Sequence, residues 1–551
     1  MKDYLQAYNL WLSKATDPDI QQNLRAMTDD DVKNAFSSDL AFGTGGLRGI
    51  MSAGTDRMNV YTVYRATEGL ARYMEHHGLT SCAVTYDSRL NSQLFSRITA
   101  ATLASHGITA YITRECMPTP FLSFMVRCLH CDVGVNVTAS HNPSAYNGYK
   151  VYERNGCQLT DDAAREVTEF INKVDMFERP LPKFDDYVGS TIKYATDEVK
   201  QAYVDSVIAE SLGTANGLVA VYTPLNGAGH VIVPEVLRKV GVSNIHIVPE
   251  QAYPDGNFTT CPYPNPEKAE ALQLAIELAK QTNADVVIAT DPDSDRLGVA
   301  VNDSGSIVQL SGNEVGVLLC DYILSMRKLS GTLPANPLIV KTIVTSPMVD
   351  AVAREYGAEV TDVLTGFKYI GDVINKLEAK GERSRYVFGF EESCGYLKGT
   401  YVRDKDGVVA SMLIAECAAA CKRQGKTLCD KLRELYARHG DYLLKTVSYR
   451  FEGVDGAEVK RKLLSNLRTS PLTDIAGSKI AASCDFLTQT QYDLPKSDVM
   501  RYNGADGSQL IIRPSGTEPL IKCYMAVNGS KDTNARRIAE IQAQLDKLFK
   551  M

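Results

Sequence analysis

The chain has 551 residues, 44% hydrophobic and 23% charged, a length that predicts roughly three to four globular domains with ample core. No apolar run approaches the roughly 18 residues of a membrane span, and the start, MKDYLQAYNLW, does not read as a signal peptide, so neither a membrane partner nor export is expected. A net charge of -7 argues against a general nucleic-acid partner while leaving room for a local basic cleft, and 13 cysteines without framework spacing point to a reducing, cytoplasmic setting.

In chain order, strand-like residues from Ala83 to Tyr86 precede a helical pattern from Ser92 to His106, and strand-like Thr109 to Thr113 follows. The lone CxxC, Cys128 to Cys131, lacks the second pair a zinc site needs and reads as buried packing. Asp132 to Val137 then carries valine at every second position, which predicts a half-buried strand, and Thr138 to Pro143 (TASHNP) follows where that strand should stop. Ser140 would sit at the rim of a sheet, where α/β proteins bind ligands. Read alone, the motif is a turn with a capping serine. Proline and charge in Glu178 to Asp186 suggest a linker.

A second unit alternates strand Leu218 to Tyr222, a helix near Val233 to Val240, strand Asn244 to Val248, a helix from Pro266 to Gln281 and strand Asp285 to Thr290. The loop after it carries Asp291, Asp293 and Asp295 at alternate positions, about 6.6 Å per pair if extended. Curving the loop would bring the carboxylates within about 5 Å, where each pair repels by about 3 kcal/mol, so a bound cation is the expected remedy. Three carboxylates suit Mg²⁺, which completes its shell with water or a phosphate oxygen. A calcium hand is excluded because Arg296 and Asn302 stand where it needs glycine and glutamate. A solvated acidic turn is the other reading. The segment Asn302 to Gly312 reads as a second linker.

A third unit runs from Asn313 through strand Pro337 to Ile343, a helix around Met348 to Tyr356, strand Tyr386 to Phe390 and a helix from Asp406 to Gly425. Its segment Gly389 to Tyr396 (GFEESCGY) sets Glu391 and Ser393 two apart, able to face one side and meet vicinal sugar hydroxyls, unless it only makes an acidic turn. After a linker at Arg438 to Tyr442 the pattern shifts to a helix near Ala457 to Leu467 and strands Gln509 to Ile512 and Ile521 to Val527, predicting an α+β domain. Between those strands lies Arg513 to Pro519 (RPSGTEP). Arg513 supplies a planar fork for phosphate, Ser515 and Thr517 hydroxyls, and Gly516 close backbone approach; a plain hairpin turn fits the string as well.

With these four motifs in this order, and FGTGGLRG at Phe42 to Gly49 before them, nearly the whole chain resembles the α-D-phosphohexomutase superfamily, and within it the longer phosphoglucomutase 2-type branch. The resemblance implies four domains around one cleft, three of related α/β mixed-sheet topology and a C-terminal α+β domain, bounded here at 1–190, 191–305, 306–440 and 441–551. It implies Ser140 as the phosphoserine and a Mg²⁺ ligand through its phosphate, with Asp291, Asp293 and Asp295 as the other ligands. Arg48, Lys150 (NGYK) and Lys405 (RDKDG) match the cationic residues, Glu391 and Ser393 the sugar readers, and Arg513, Ser515, Gly516 and Thr517 the phosphate loop. Thr365, Gly366 and Lys368 (TGFK) match a specificity loop, and Arg296 is grouped with the substrate-binding residues. Taken singly, Arg48 and Lys405 also suit surface ion pairs, Lys150 a solvated position and Gly366 a turn.

One departure bears on proton transfer. Some members have histidine after the glycine of the sugar loop, but here Tyr396 follows Gly395. His141 is then read as orienting the serine turn, with Lys150 and Lys405 moving the proton. The activity implied is interconversion of glucose 1-phosphate and glucose 6-phosphate through glucose 1,6-bisphosphate, which also serves as activator. A phosphomannomutase, a phosphopentomutase, a sugar-bisphosphate synthase and a noncatalytic sugar-phosphate sensor are the alternatives that sequence leaves open.

Overall fold

The computed structural model describes residues 3–43, 45–451, 456–490, 492, 494–515 and 520–549. Gly516 and Thr517 of the phosphate loop lie outside them.

Three helices that the sequence reading passed over open the chain: Tyr4–Lys14, Pro18–Ala26 and Asp29–Phe36. Each is started by a side-chain cap, from Asp3, Asp17 and Thr28, and Pro18 occupies the first turn of the second, where its missing N–H costs nothing. Trp11 and Phe36 pack edge to face at 5.7 Å, and Trp11 meets Tyr61 at 5.5 Å, so the segment is fastened to the first α/β unit through aromatic contacts.

Four sheets follow. The first orders its strands Leu47–Ile50, Tyr146–Glu153, Val133–Val137, Ser81–Tyr86, Thr109–Ile112 and Ile192–Tyr194. The second orders Ser306–Leu310, Leu297–Asp303, Val286–Thr290, Val219–Thr223 and Asn244–Ile247, and the third Glu359–Val363, Leu338–Thr342, Tyr386–Glu391 and Gly395–Lys398. All three mix parallel and antiparallel pairs. The fourth is antiparallel throughout, with helices Gly456–Thr469 and Lys531–Phe549 supplying core residues. Three α/β units and a C-terminal α+β unit are therefore what the chain forms.

The boundaries differ from expectation at two points. Strand Ile192–Tyr194 pairs with Thr109–Ile112, so the first sheet runs past residue 190. Residues 302–312, read as a linker, contain the turn and edge strand of the hairpin Leu297–Asp303 with Ser306–Leu310, so the second sheet runs past residue 305. Gly305, at φ 94, makes that turn in the left-handed region that glycine enters without strain.

The serine strand is also more enclosed than predicted. All five residues of Val133–Val137 are buried, because helices cover both faces and the intervening positions are Gly134, against Val126, and Asn136. Asn136 donates to Thr119 Oγ1 at 2.6 Å and accepts from Thr85 at 3.1 Å, which satisfies its buried amide. Of the CxxC pair, Cys131 is buried as expected, but Cys128, at the end of helix Thr119–Cys128, is exposed.

One backbone bond ties the aspartate loop to the first unit and a second braces it within its own. Thr119 N–H donates to Asp293 O at 2.7 Å, and Ala228 N–H to Pro292 O at 2.8 Å. A Cβ at Gly227 would stand 2.4 Å from Pro292 Cα and 2.6 Å from Pro292 O, backbone atoms that cannot swing away. Gly227→Ala is expected to destabilise the protein by about 1–3 kcal/mol, read as a lowered Tm in calorimetry; an unchanged Tm would show that this approach is not tight.

Candidate active site

Ser140 and the aspartate loop meet. Strand Val133–Val137 delivers the serine turn, and strand Val286–Thr290 delivers Asp291, Asp293 and Asp295, all fully buried. Ser140 Oγ donates to Asp291 Oδ2 at 2.9 Å and lies 3.2 Å from His141 Nδ1. Ser140 is in the left-handed region at φ 53, uncommon for a residue with a side chain. Its N–H is taken by Thr138 Oγ1 at 2.8 Å.

The residue that holds this turn was missed by the sequence reading. Arg89 donates to the carbonyls of Ser140 at 2.5 Å, Pro143 at 2.9 Å and Tyr146 at 3.1 Å, and also to that of Asn142. Its guanidinium is paired with Asp87 at 3.3 Å, both side chains being fully buried, and Asp87 also accepts from Thr138 at 2.6 Å. Asp87 and Arg89 directly follow a predicted strand, and that position, an acid and a base where a strand runs out, was the available signal.

Each carboxylate of the triad offers one oxygen within 4.8 Å of the others. At an effective dielectric of about 20 each such pair would repel by about 3 kcal/mol, and the neighbours supply the offset. Lys150 Nζ lies 2.9 Å from Asp293 Oδ2 and 3.5 Å from Asp295 Oδ2; Lys405 Nζ lies 2.9 Å from Asp295 and 3.5 Å from Asp404. Burial pushes the Asp293 carboxyl up, but Lys150 and the Thr119 hydroxyl, 2.7 Å away, outweigh it and hold Asp293 below the usual carboxylate range. Burial and the charges of the other two aspartates push Asp291 well up, and burial with Asp293 pushes Asp295 up.

The lysine charges bear on the proton-transfer reading. Burial favours neutral lysine, yet the aspartates outweigh it at both positions and raise Lys150 and Lys405 above the ordinary range. In this arrangement both amines stand as positive charge against the aspartates. Neither pairs a surface carboxylate nor sits in solvent. His141 is held far below its usual range by burial and by Arg296 and Arg48, so its imidazole is neutral, consistent with orienting the serine turn.

The triad fits a hard cation. Asp293 Oδ1 and Asp295 Oδ1 are buried without a hydrogen-bond partner among the described residues, and the donor set is entirely oxygen.

Above this centre opens a cleft of ≈ 1620 Å³ lined from all four units. Arg48 and His141 face it from the first, Arg296 from the second, Thr365 and Ser393 from the third, and Arg513 from the fourth. Arg48 donates to Asn142 Oδ1 at 3.2 Å, tying its cation to the serine turn. Arg296 is paired with Glu267 at 2.7 Å, and its N–H donates to Asp291 at 3.1 Å. Glu391 is buried, and that burial raises its carboxyl despite the nearby Lys405 and Arg296. Gly366 is at φ 125, which a side chain would strain, and it starts helix Phe367–Ala379. Lys368 does not line this cleft; it pairs with Asp161 at 2.5 Å, joining the third unit to the first. Ser515 follows Arg513 at the end of strand Gln509–Pro514, and its carbonyl accepts from Lys460 at 3.0 Å. Tyr396 is in the core, stacked on Phe390 and donating to Gly312 O at 2.9 Å.

Family models match the chain in four successive pieces. The Phosphoglucomutase/phosphomannomutase alpha/beta/alpha domains I, II and III match residues 39–178, 201–305 and 311–439, and the C-terminal domain of the same family matches 464–544. A phosphoglucomutase of Staphylococcus aureus (strain MRSA252) is 36% identical over 94% of this chain and 95% of its own, and that of strain MSSA476 is 35% identical over the same shares. Among solved structures, a phosphoglucomutase/phosphomannomutase family protein from Burkholderia thailandensis aligns with TM-score 0.70 at 19% identity, covering 93% of this chain and 98% of that one. Parafusin (phosphoglucomutase) from Paramecium, in its open form, aligns with TM-score 0.69 at 16% identity, covering 93% and 95%. At those identities the likeness is one of fold.

Arg89→Met is expected to destabilise the protein by about 3–5 kcal/mol, because it leaves Asp87 buried without its cation. Denaturant unfolding of Arg89→Met and of Asp87→Asn/Arg89→Met checks this. The double variant should regain part of the loss; equal stability of Arg89→Met and the parent would contradict the buried-pair account.

Proposed function

The chain belongs to the phosphoglucomutase/phosphomannomutase family and is an intramolecular phosphotransferase acting on sugar phosphates; on that premise we propose that it interconverts glucose 1-phosphate and glucose 6-phosphate through phosphorylated Ser140 and a glucose 1,6-bisphosphate intermediate. The observation that carries this reading is Ser140 Oγ at 2.9 Å from a carboxylate of the buried triad, with lysine counter-charges beside it and Arg513 on the cleft wall.

In the first half reaction a sugar hydroxyl oxygen bonds to the phosphorus on Ser140 while the Ser140 O–P bond breaks, and the hydroxyl proton ends on the departing serine oxygen; in the second, Ser140 Oγ bonds to the phosphorus at the other end of the bisphosphate while that sugar O–P bond breaks, and the serine proton ends on the departing sugar oxygen. Phosphoserine carries about -1.5 to -2 charges, and Arg48, Lys150 and Lys405 offset the charge spread over the transferring group. Mg²⁺, held by Asp291, Asp293, Asp295 and an oxygen of the phosphate on Ser140, would add Lewis-acid neutralisation of the same oxygens. Neutral His141 keeps the serine oxygen oriented. Arg513, with Ser515, Gly516 and Thr517, holds the phosphate that is not reacting.

The bisphosphate must then turn end for end, so one distal cradle serves both directions. Glu391 and Ser393 read sugar hydroxyls, and Thr365 with Gly366 beside it bounds the sugar's path, while Lys368, paired with Asp161, ties that loop to the first unit. Glucose is favoured over the mannose and pentose alternatives because the similar curated proteins are phosphoglucomutases. A buried polar group left unpaired by a poorer sugar costs about 1–3 kcal/mol.

The expected outcome is a kcat/KM order of glucose, mannose and then ribose 1-phosphate, with turnover lost on chelation and restored by Mg²⁺. Ser140→Ala should lower turnover by about a thousandfold or more. Steady-state assays on the three substrates check all of this. Ribose 1-phosphate coming first would overturn the substrate, and Ser140→Ala retaining a tenth of the activity would overturn the phosphoserine.

A further inference from the structure

Lys405 does not reach the triad unaided. Its stem runs over Gly395, where a Cβ would stand 2.6 Å from Lys405 Cδ, and its ammonium ends 2.9 Å from Asp295 and 3.5 Å from Asp404. Asp404 is another buried carboxylate, 2% exposed, and it does not line the cleft.

Four donors converge on Asp404: Oδ1 accepts the Lys405 backbone N–H at 2.8 Å and faces its ammonium, while Oδ2 accepts from the Tyr152 hydroxyl at 2.6 Å and from Gln158 Nε2 at 3.1 Å. An ionised carboxylate satisfies such a set because it only accepts, whereas an amide in its place would turn an N–H₂ toward one of the donors. Burial pushes the Asp404 carboxyl up, but Lys405, Lys150 and the Tyr152 hydroxyl outweigh it and hold it below the usual carboxylate range.

Tyr152 and Gln158 belong to the first unit. Tyr152 is fully buried and alternates with Lys150 on strand Tyr146–Glu153, so the two side chains leave the same face of the sheet. Lys150 meets Asp293 and Asp295 while Tyr152 meets Asp404, so one strand of the first unit sets both the aspartate loop of the second and the lysine loop of the third. On the other side of Lys405, Asp406 caps helix Gly407–Arg423 and accepts from the Tyr203 hydroxyl at 2.9 Å. The backbone of Lys405 is thus held on both sides, and Asp404 holds its ammonium as well.

We infer that Asp404 is a positioning residue for phosphoryl transfer: tethered by Tyr152 and Gln158, it fixes the Lys405 ammonium against Asp295, where that charge offsets the charge of the transferring group. The inference rests on the reading of Lys405 as that counter-charge. Because Asp404 lies off the cleft wall, it acts through Lys405 and not on the sugar. Its loss is therefore read in kcat and leaves the KM for sugar phosphate alone, since the charge it places counts most in the transition state.

Steady-state conversion of glucose 1-phosphate, with Mg²⁺ and glucose 1,6-bisphosphate present, tests this as a double-mutant cycle, with thermal melting to show that each variant is folded. Tyr152→Phe should lower kcat by about tenfold and Asp404→Asn by about a hundredfold, each with KM within about twofold of the parent. Lys405→Met should lose at least as much as Asp404→Asn, and adding either change to it should cost less than about twofold more. Tyr152→Phe keeps the aromatic body in the core, so its result decides the matter where Asp404→Asn fails to fold. Parental kcat in Tyr152→Phe, a loss confined to KM, or losses that multiply with that of Lys405→Met would overturn the proposal and leave Lys405 in its role. Parental kcat in Lys405→Met would overturn that role and the proposal together.

Discussion

Three carboxylates within 4.8 Å of one another, fully buried, are the constraint around which this molecule is arranged. Nothing in a protein interior makes such a cluster stable by itself, so the surrounding charges must come to it. Lys150 reaches it from the first unit and Lys405 from the third, and the Thr119 hydroxyl accompanies them. The repulsion thus dictates domain packing: the second unit's loop is stable only where the first and third deliver their counter-charges. Two of the oxygens still lack partners among the described residues, which is the electrostatic reason for a cation at that point.

The same arrangement prepares Ser140. Its oxygen donates to Asp291 while the carbonyls behind it are gathered by Arg89, so the left-handed serine is held by buried ionic bonds on one side and faces the triad on the other. Backbone strain at such a residue persists only where the surroundings over-determine it, and here four carbonyls and a buried ion pair do so. The fourth unit contributes differently. It brings Arg513 to the wall of the cleft.

Much of this was legible in the sequence. The valine alternation before Ser140 and the apolar run before Asp291 marked strand ends, and three aspartates at period two announced a shared charge problem. What escaped notice has physical causes. The helices at 4–36 are amphipathic and carry clear caps, but they hold no chemistry, and their docking rests on Trp11 meeting Tyr61 and Phe177 farther along the chain. The hairpin at residues 302–312 was hidden because its Asn, Asp, Ser and Gly residues read as linker composition when they form one tight turn. Arg89 escaped because its partners, the carbonyls from Ser140 to Tyr146, are backbone groups that no motif records. The lysine protonation could not be read at all, since burial and the aspartates push it in opposite directions and only geometry decides which prevails.

The account stands or falls on transfer of the phosphoryl group itself from Ser140 to sugar. Protein carrying radiolabelled phosphate on Ser140, mixed with unlabelled glucose 1-phosphate for a single turnover and then quenched, tests it directly. The account predicts that the label leaves the protein and appears in hexose phosphate while unlabelled phosphate replaces it on Ser140. Label that stays on the protein while glucose 6-phosphate forms would contradict it.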